Sequence, residues 1–299
     1  MSLSINKHIP IFEVIVIDDC SIDNSYDLLI EYKKNVKYDM KIIKNEKNVG
    51  AGEARNIGIN YSNGEYLIFV DSDDYIEINT LEILNELFSE DIDCICFDYV
   101  KENYKNYKRF SMILDEKFGI IDNQKGDAVY KVRGCTCGKA YKSKIIKDNN
   151  IRFANVNRNE DMPFTKIAIS YCKKIFYYKE VLYHYVNNEK SLMNDNSKMN
   201  EDNCVISFNL IEKNINPKIS KNILEYIFIM ECYYTIVYIS IKKGYSNKKI
   251  NDLINSVLEK YPNCFDNKHF NFLHPIKKMI FCLMKKRRYF LIRLILNFK

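Results

Sequence analysis

Two clusters of carboxylates stand where chemistry is expected. Asp18-Asp19 closes the apolar run Phe12–Ile17, and Asp71-Ser72-Asp73-Asp74 closes the run Tyr66–Val70. In open α/β sheets, ligands bind beyond the carboxyl ends of the strands. Residues two apart in an extended chain point to the same side, so Asp71 and Asp73 are expected to face one site. Hard oxygen ligands of this kind suit Mg²⁺ or Mn²⁺, completed by water and substrate phosphates. A metal so held eases the departure of a diphosphate. Asp also sits at strand ends simply to cap helices and to make turns. Two clusters at adjacent strand ends favour a metal–nucleotide site over that structural role.

The elements that must position these carboxylates alternate. Phe12–Ile17 is a nearly continuous β-branched run and reads as a buried parallel strand. A helix is expected over Ser21–Lys34, a strand over Met40–Ile43, and a glycine-opened helix over Gly50–Ile59 with Ala51, Ala54, Ile57 and Gly58 on close-packed faces. A strand at Tyr66–Val70, a helix at Thr80–Phe88 and a strand at Ile92–Phe97 follow. This alternation implies an α/β fold whose mostly parallel, Rossmann-like sheet is flanked by helices. Helices are further expected at Lys142–Asn149 and Asp161–Tyr171, with strand-like pieces at Ile175–Tyr178 and Val181–Val186. From Glu201 the pattern is helical, with long apolar periodic segments at 223–241 and 276–298. Residues 1–200 are therefore expected to form the sheet domain and residues 201–299 a helical C-terminal region.

Three segments, in order, carry a specific resemblance. Phe12-Glu-Val-Ile-Val-Ile-Asp-Asp-Cys-Ser-Ile-Asp-Asn-Ser25, Asn48-Val-Gly-Ala-Gly-Glu-Ala-Arg-Asn-Ile-Gly58 and Gly64-Glu-Tyr-Leu-Ile-Phe-Val-Asp-Ser-Asp-Asp74 resemble family 2 glycosyltransferases of the GT-A fold. Gly138–Ile146, Asn150–Phe153 and Asn159–Phe164 are similar to the acceptor-side half of bacterial members that build cell-surface polysaccharides. The resemblance spans about residues 4–195. It implies inverting transfer of a sugar from a nucleotide-sugar donor to a hydroxyl of a glycan or lipid-linked acceptor. It implies that Asp19, with Asp18 beside it, contacts the nucleotide base, and that Asp71 lies by the ribose and diphosphate. It further implies that Asp73 holds Mn²⁺ or Mg²⁺ and that Asp161 is the general base. Arg55 is a nucleotide-side candidate or a partner in a helix-face salt bridge. Asp161 could equally cap the helix it precedes, with Pro163 in the first turn. A sugar nucleotidyltransferase shares the sheet logic, but a Gly-rich basic phosphate loop is missing here. A truncated, non-catalytic remnant is a further alternative. Family members normally begin with one more strand and helix, whereas Ser4–His8 resembles only the end of that helix. The reading is of an N-terminally incomplete domain, or of one whose gap Met1–Pro10 or another chain fills.

Other features exclude more than they assign. The 299 residues are 47% apolar and 28% charged, as in ordinary globular proteins. No stretch approaches ~18 uninterrupted apolar residues, which argues against a spanning helix. Ten Cys without an N-terminal apolar signal segment read as reduced cytosolic thiols. Cys94-X-Cys96 and Cys135-X-Cys137 fall short of zinc spacing. Gly50-Ala51-Gly52 is no dinucleotide fingerprint. His8, His184, His269 and His274 are scattered; His184, between Tyr183 and Tyr185, is the one candidate for an acceptor cleft. After Asp266 there is no acidic residue, while Lys277, Lys278, Lys285, Lys286, Arg287, Arg288 and Arg293 are interleaved with apolar runs. That suits a helix over 276–298 on an anionic membrane surface, at the inner face of the cell membrane. Basic residues gathered at one end argue against nucleic acid.

Overall fold

The computed structural model describes residues 11–89, 91–103, 106–114, 117–156, 159–186, 201–273 and 275–297. The first elements are β1 (Glu13–Asp18), α1 (Ser25–Lys33), β2 (Asp39–Lys44), α2 (Ala51–Tyr61), β3 (Tyr66–Ile68), β4 (Tyr75–Ile76) and α3 (Thr80–Leu87). The middle holds β5 (Cys94–Asn103), β6 (Asn106–Phe110), β7 (Gly119–Asp122), α4 (Ala128–Lys131), β8 (Lys139–Lys142), α5 (Ser143–Asp148), α6 (Asp161–Tyr171) and β9 (Lys174–Val186). The rest is helical: α7 (Glu201–Asn214), α8 (Lys221–Ile227), α9 (Tyr234–Lys242), α10 (Asn247–Leu258), α11 (Pro275–Lys285) and α12 (Tyr289–Asn297).

The α/β architecture is present, and its sheet is mixed. β1 and β2 pair in parallel, from Glu13↔Asp39 to Asp18↔Lys44. The larger sheet runs β3-β8-β5-β9-β4, with β6 on β5 and β7 on β9. Among the described residues only β5 and β9 within it are parallel; the other pairings are antiparallel. Among the described residues the β1–β2 pair is not joined to the larger sheet. The segments called Ser4–His8 and Met1–Pro10, with His8 and His274, lie outside the described residues, as do residues 187–200 at the expected domain boundary.

Three expectations change. The strand expected through Val70 ends at Ile68, and Asp71–Asp74 form a turn closed by Asp74 N–H to the Asp71 carbonyl at 3.0 Å. The extended geometry that would aim Asp71 and Asp73 alike is therefore absent. The two pieces at 175–178 and 181–186 are one strand, β9, whose register on β5 shifts between Phe97 and Tyr99. The single helix expected over 276–298 is broken at Arg287, which takes φ 54°, giving α11 and α12. The continuous helical stretch Lys221–Lys242 is long and apolar enough to cross a membrane by composition, but 61% of its window is buried in the protein. Ile223, Phe228, Ile229, Tyr233, Ile236 and Val237 put it in the core.

Candidate active site

α2 ties the site together. Its start is held by Asp19, the residue directly after β1: Asp19 Oδ1 accepts from Val49 N (2.9 Å) and Asn45 Nδ2 (2.8 Å), and Oδ2 from Gly50 N (2.8 Å). Burial alone would raise the Asp19 carboxyl, but these bonds outweigh it and hold its pKa below the usual value. Asp19 is thus already engaged by protein. Asp18 is buried, accepts a long bond from Ser21 N (3.4 Å) on Oδ1, and its Oδ2 has no hydrogen-bond partner among the described residues. An orphaned buried acceptor calls for an explanation, and a ligand N–H is one.

The buried face of α2 is Gly52, Asn56 and Ile59 rather than the expected Ala51, Ala54, Ile57 and Gly58. Asn56 exchanges two bonds with the Phe153 backbone, at 2.8 and 3.2 Å. A Cβ on Gly52 would lie 2.6 Å from the Ala154 carbonyl and 3.3 Å from Glu160 Cγ. Only glycine lets the loop carrying Glu160 and Asp161 come this close. From the same helix Arg55 reaches in two directions, to Asp71 Oδ1 (2.5 Å) and Glu160 Oε1 (2.8 Å), with its guanidinium carbon 5.4 Å from the Phe153 ring centre. Burial alone would lower the guanidinium's pKa, but the two carboxylates outweigh that and push it up. These ion pairs join the Asp71–Asp74 turn to the segment that opens α6.

Tyr183 on β9 shapes the Asp71–Asp74 turn. Its hydroxyl donates to Asp74 Oδ2 (2.5 Å) and accepts from Asp71 N (3.2 Å), while Asp74 Oδ1 accepts from Val186 N (2.9 Å). Burial pushes the Asp74 carboxyl up to about 6 against the two hydrogen bonds, with Asp71 and Asp73 adding to the rise. Asp73 is left exposed on the turn. Among the described residues no group of three or more His, Cys, Asp or Glu could hold a metal. One exposed carboxylate with Asp71 close by still fits the way Mg²⁺ and Mn²⁺ are used, through one or two carboxylates plus substrate phosphates.

α6 begins at Asp161, so Glu160, not Asp161, takes the N-cap position, and it makes no side-chain cap bond. Pro163 falls in the first turn, where its missing N–H costs nothing. Met162 to Ser170 are all buried, which fixes the helix firmly. Burial pushes the Asp161 carboxyl up to about 7; Glu160 and Cys135 add to the rise, and Arg55 and Lys139 oppose it. Such a value is what a general base working near neutral pH needs.

His184 does not join this cluster. It points away from Tyr183's face of β9, with Nδ1 2.6 Å from Glu102, Nε2 2.8 Å from Glu77, and its ring stacked 4.3 Å from Tyr75. Sequence reasoning missed Glu160, Asn56, Tyr183 and Lys139. Only Glu160 carried a signal, as the neighbour of Asp161.

Residues 3–149 match the family described as Glycosyl transferase family 2. They belong to that family. EpsH of Bacillus subtilis (strain 168) is 29% identical over 188 residues, covering 60% of this chain and 54% of EpsH. A poly(ribitol-phosphate) beta-glucosyltransferase of Bacillus spizizenii is 32% identical over 178 residues, 58% of this chain and 27% of that protein. The crystal structure of S. aureus TarS 1–349 in complex with UDP-GlcNAc superposes with a TM-score of 0.58 over 77% of this chain and 62% of that one, at 24% identity. That match shows a shared GT-A fold. The chain spans about half or less of these two sequence relatives' own lengths.

Proposed function

We propose that this family 2 chain transfers a sugar, with inversion, from a nucleotide-sugar to a hydroxyl of a cell-surface glycan, of the teichoic acid or polysaccharide kind. The observation that carries the reading is the Asp71–Arg55–Glu160 bridge. It sets a diphosphate-side turn within one guanidinium of the residue preceding a carboxylate whose pKa suits a base. The relatives support the substrate class: one is named for transfer to poly(ribitol-phosphate), and the fold match to TarS is to a structure holding UDP-GlcNAc.

In this reading Asp18 Oδ2 accepts from the nucleotide base, and Asp19 holds the wall of the base pocket through Val49 and Gly50. Asp71, oriented by Arg55 and by Tyr183, borders the ribose and diphosphate. Asp73 would hold Mn²⁺ or Mg²⁺, whose charge would offset that of the departing diphosphate. Asp161 takes the proton of the acceptor hydroxyl as that oxygen attacks C1 opposite the leaving group, so one displacement inverts the anomeric centre. The acceptor is a glycan or its lipid-linked precursor, and α11–α12 bring the chain to the inner face of the cell membrane.

Nucleoside diphosphate release and sugar incorporation, measured with UDP-sugars and a poly(ribitol-phosphate) acceptor, test the reading. Asp161→Asn should lower turnover by ~10²–10⁴ with UDP binding retained. Asp73→Asn should remove turnover and weaken Mn²⁺-dependent UDP binding in calorimetry. Unchanged turnover in either variant refutes the assignment.

A further inference from the structure

Cys135 and Cys137 lie outside the donor-side carboxylates and against the first turn of α6. The chain bends over Thr136 to Gly138. Two Cα steps of ~3.8 Å separate the pair, and a bend brings such a span into the ~4.4–6.8 Å that a disulfide bridges. The Cys135 thiol reaches the Cys137 carbonyl, its Sγ 3.9 Å from that oxygen, and both cysteines are free and partly accessible. Lys139, fully buried, turns its Nζ back onto them: 2.5 Å from the Cys135 carbonyl, 3.4 Å from the Cys137 carbonyl and 3.9 Å from Cys135 Sγ. An ammonium beside a thiol favours the thiolate, which is the nucleophilic form. Cys137 beside it, with Lys139 and Arg133, holds the Cys135 thiol below its ordinary pKa despite burial, while Cys137 is pushed up. The other Cys-X-Cys pair differs in burial and in the sign of its first thiol's shift. Cys94 and Cys96, with sulfurs 3.9 Å apart, are fully buried in β5, and burial pushes both thiols up.

The accessible pair is mechanically tied to α6. Thr165 donates its hydroxyl to the Cys135 carbonyl at 3.2 Å. Gly134 sits so close to α6 that a Cβ there would be 2.8 Å from Met162 Cγ. Met162 follows Asp161, and Thr165 lies one turn on.

We propose that Cys135 and Cys137 are a peroxide-oxidisable dithiol whose disulfide displaces the first turn of α6 and thereby disables the Asp161 site. The last part rests on the role given to Asp161 above; the oxidation does not. The Cys135 thiolate attacks one oxygen of hydrogen peroxide, breaking the O–O bond, to give Cys135 sulfenic acid and hydroxide. The Cys137 thiol then attacks that sulfur and water leaves, closing the S–S bond. The two sulfurs give two electrons to one peroxide, and an added dithiol reverses the bond by exchange.

The whole chain, treated with hydrogen peroxide, alkylated, digested and mapped by mass spectrometry, provides the test, with amide exchange of residues 159–166 followed in parallel. The expected product is a Cys135–Cys137 cross-link, with exchange in the first turn of α6 at least roughly tenfold faster, both reversed by dithiothreitol. Cys137→Ser should form no cross-link and leave a Cys135 sulfenic acid that dimedone traps. Turnover should fall at least about tenfold on oxidation and recover on reduction. No cross-link at peroxide levels that oxidise exposed Cys282, or a cross-link with unchanged exchange, overturns the proposal. If the reduced chain has no turnover, mapping and exchange still decide the dithiol, and only the transferase reading falls.

Discussion

Asp161 carries a pH expectation of definite sign. Its carboxyl sits at about 7 in the folded chain against an ordinary 3.8. Between those values the folded protein holds a proton that the unfolded chain has released. The stability linked to that proton is fully present below the lower value and is lost as pH rises through the upper one. Activity runs the other way, because only the carboxylate can accept a proton, so kcat/KM should climb with pH around an acid limb near 7. Glu160 and Cys135 raise that limb, and Arg55 and Lys139 lower it. Arg55→Met should therefore move the limb to higher pH. Arg55→Lys should leave it nearly in place while slowing turnover, since one ammonium cannot serve Asp71 and Glu160 together as a fork does. A pH–rate profile of the Met variant that stays put or moves to lower pH would show that Asp161 is not the titrating base. The carboxylates of this site were legible in the sequence because each stands in a short contiguous string. Their partners were not. Tyr183 reaches Asp74 across 109 positions and Asn56 reaches Phe153 across 97, and a single sequence holds no record of such pairings.

At the level of elements, legibility followed self-sufficiency. β1 and α6 declared themselves through a β-branched run and a Pro-marked helix start, signals that local physics supplies. β4, two residues long, exists only because β9 runs past it, and β6 and β8 carry mixed polarity that becomes strand through pairing with β5. The face of α2 was misjudged for a related reason: what decides it is the approach of Ala154 and Glu160, not the smallness of its residues. Two substitutions on this helix separate those causes. Gly58→Ala meets nothing within 4 Å and should gain about 1 kcal/mol from helix propensity. Gly52→Ala has the same propensity gain, but its methyl would meet the Ala154 carbonyl at 2.6 Å, and overpacking against backbone costs about 1–3 kcal/mol. Thermal unfolding should show Tm rising for the first and falling for the second. Gly52→Ala should also slow turnover, because Glu160 must move off Arg55. A Gly52→Ala protein as stable as Gly58→Ala would mean the loop yields freely and α2 does not set the position of Asp161.

Across the whole molecule one hydrophobic cluster runs from Ile59 and Leu67 beside the site, through Phe164 and Ile167 of α6, Phe208 and Ile211 of α7 and Phe228 and Ile236, to Ile280, Met284, Tyr289 and Ile292 of α11 and α12. A surface that holds α11 and α12 would thus hold the Asp161 site at a fixed orientation. Those helices bury Ile280, Phe281, Met284 and Ile292, and leave Ile276, Met279, Phe290, Leu291 and Leu294 exposed. Lys286, Arg287 and Arg288, all exposed, form the turn between them. Exposed apolar residues flanked by cations match an anionic lipid surface, where each basic residue contributes ~1 kcal/mol. Flotation with phosphatidylglycerol vesicles should therefore recover the chain, and phosphatidylcholine vesicles should not. Lys286→Glu with Arg288→Glu should weaken that binding by at least ~25-fold, about fivefold for each lost charge, and high salt should mimic the effect. Phe290→Ser should weaken it without altering the salt dependence, because its contribution is apolar burial. Equal recovery on both lipids, or indifference to the paired charge reversal, would mean that the basic turn only solvates a core helix pair and that the acceptor must reach the cleft without help from this surface.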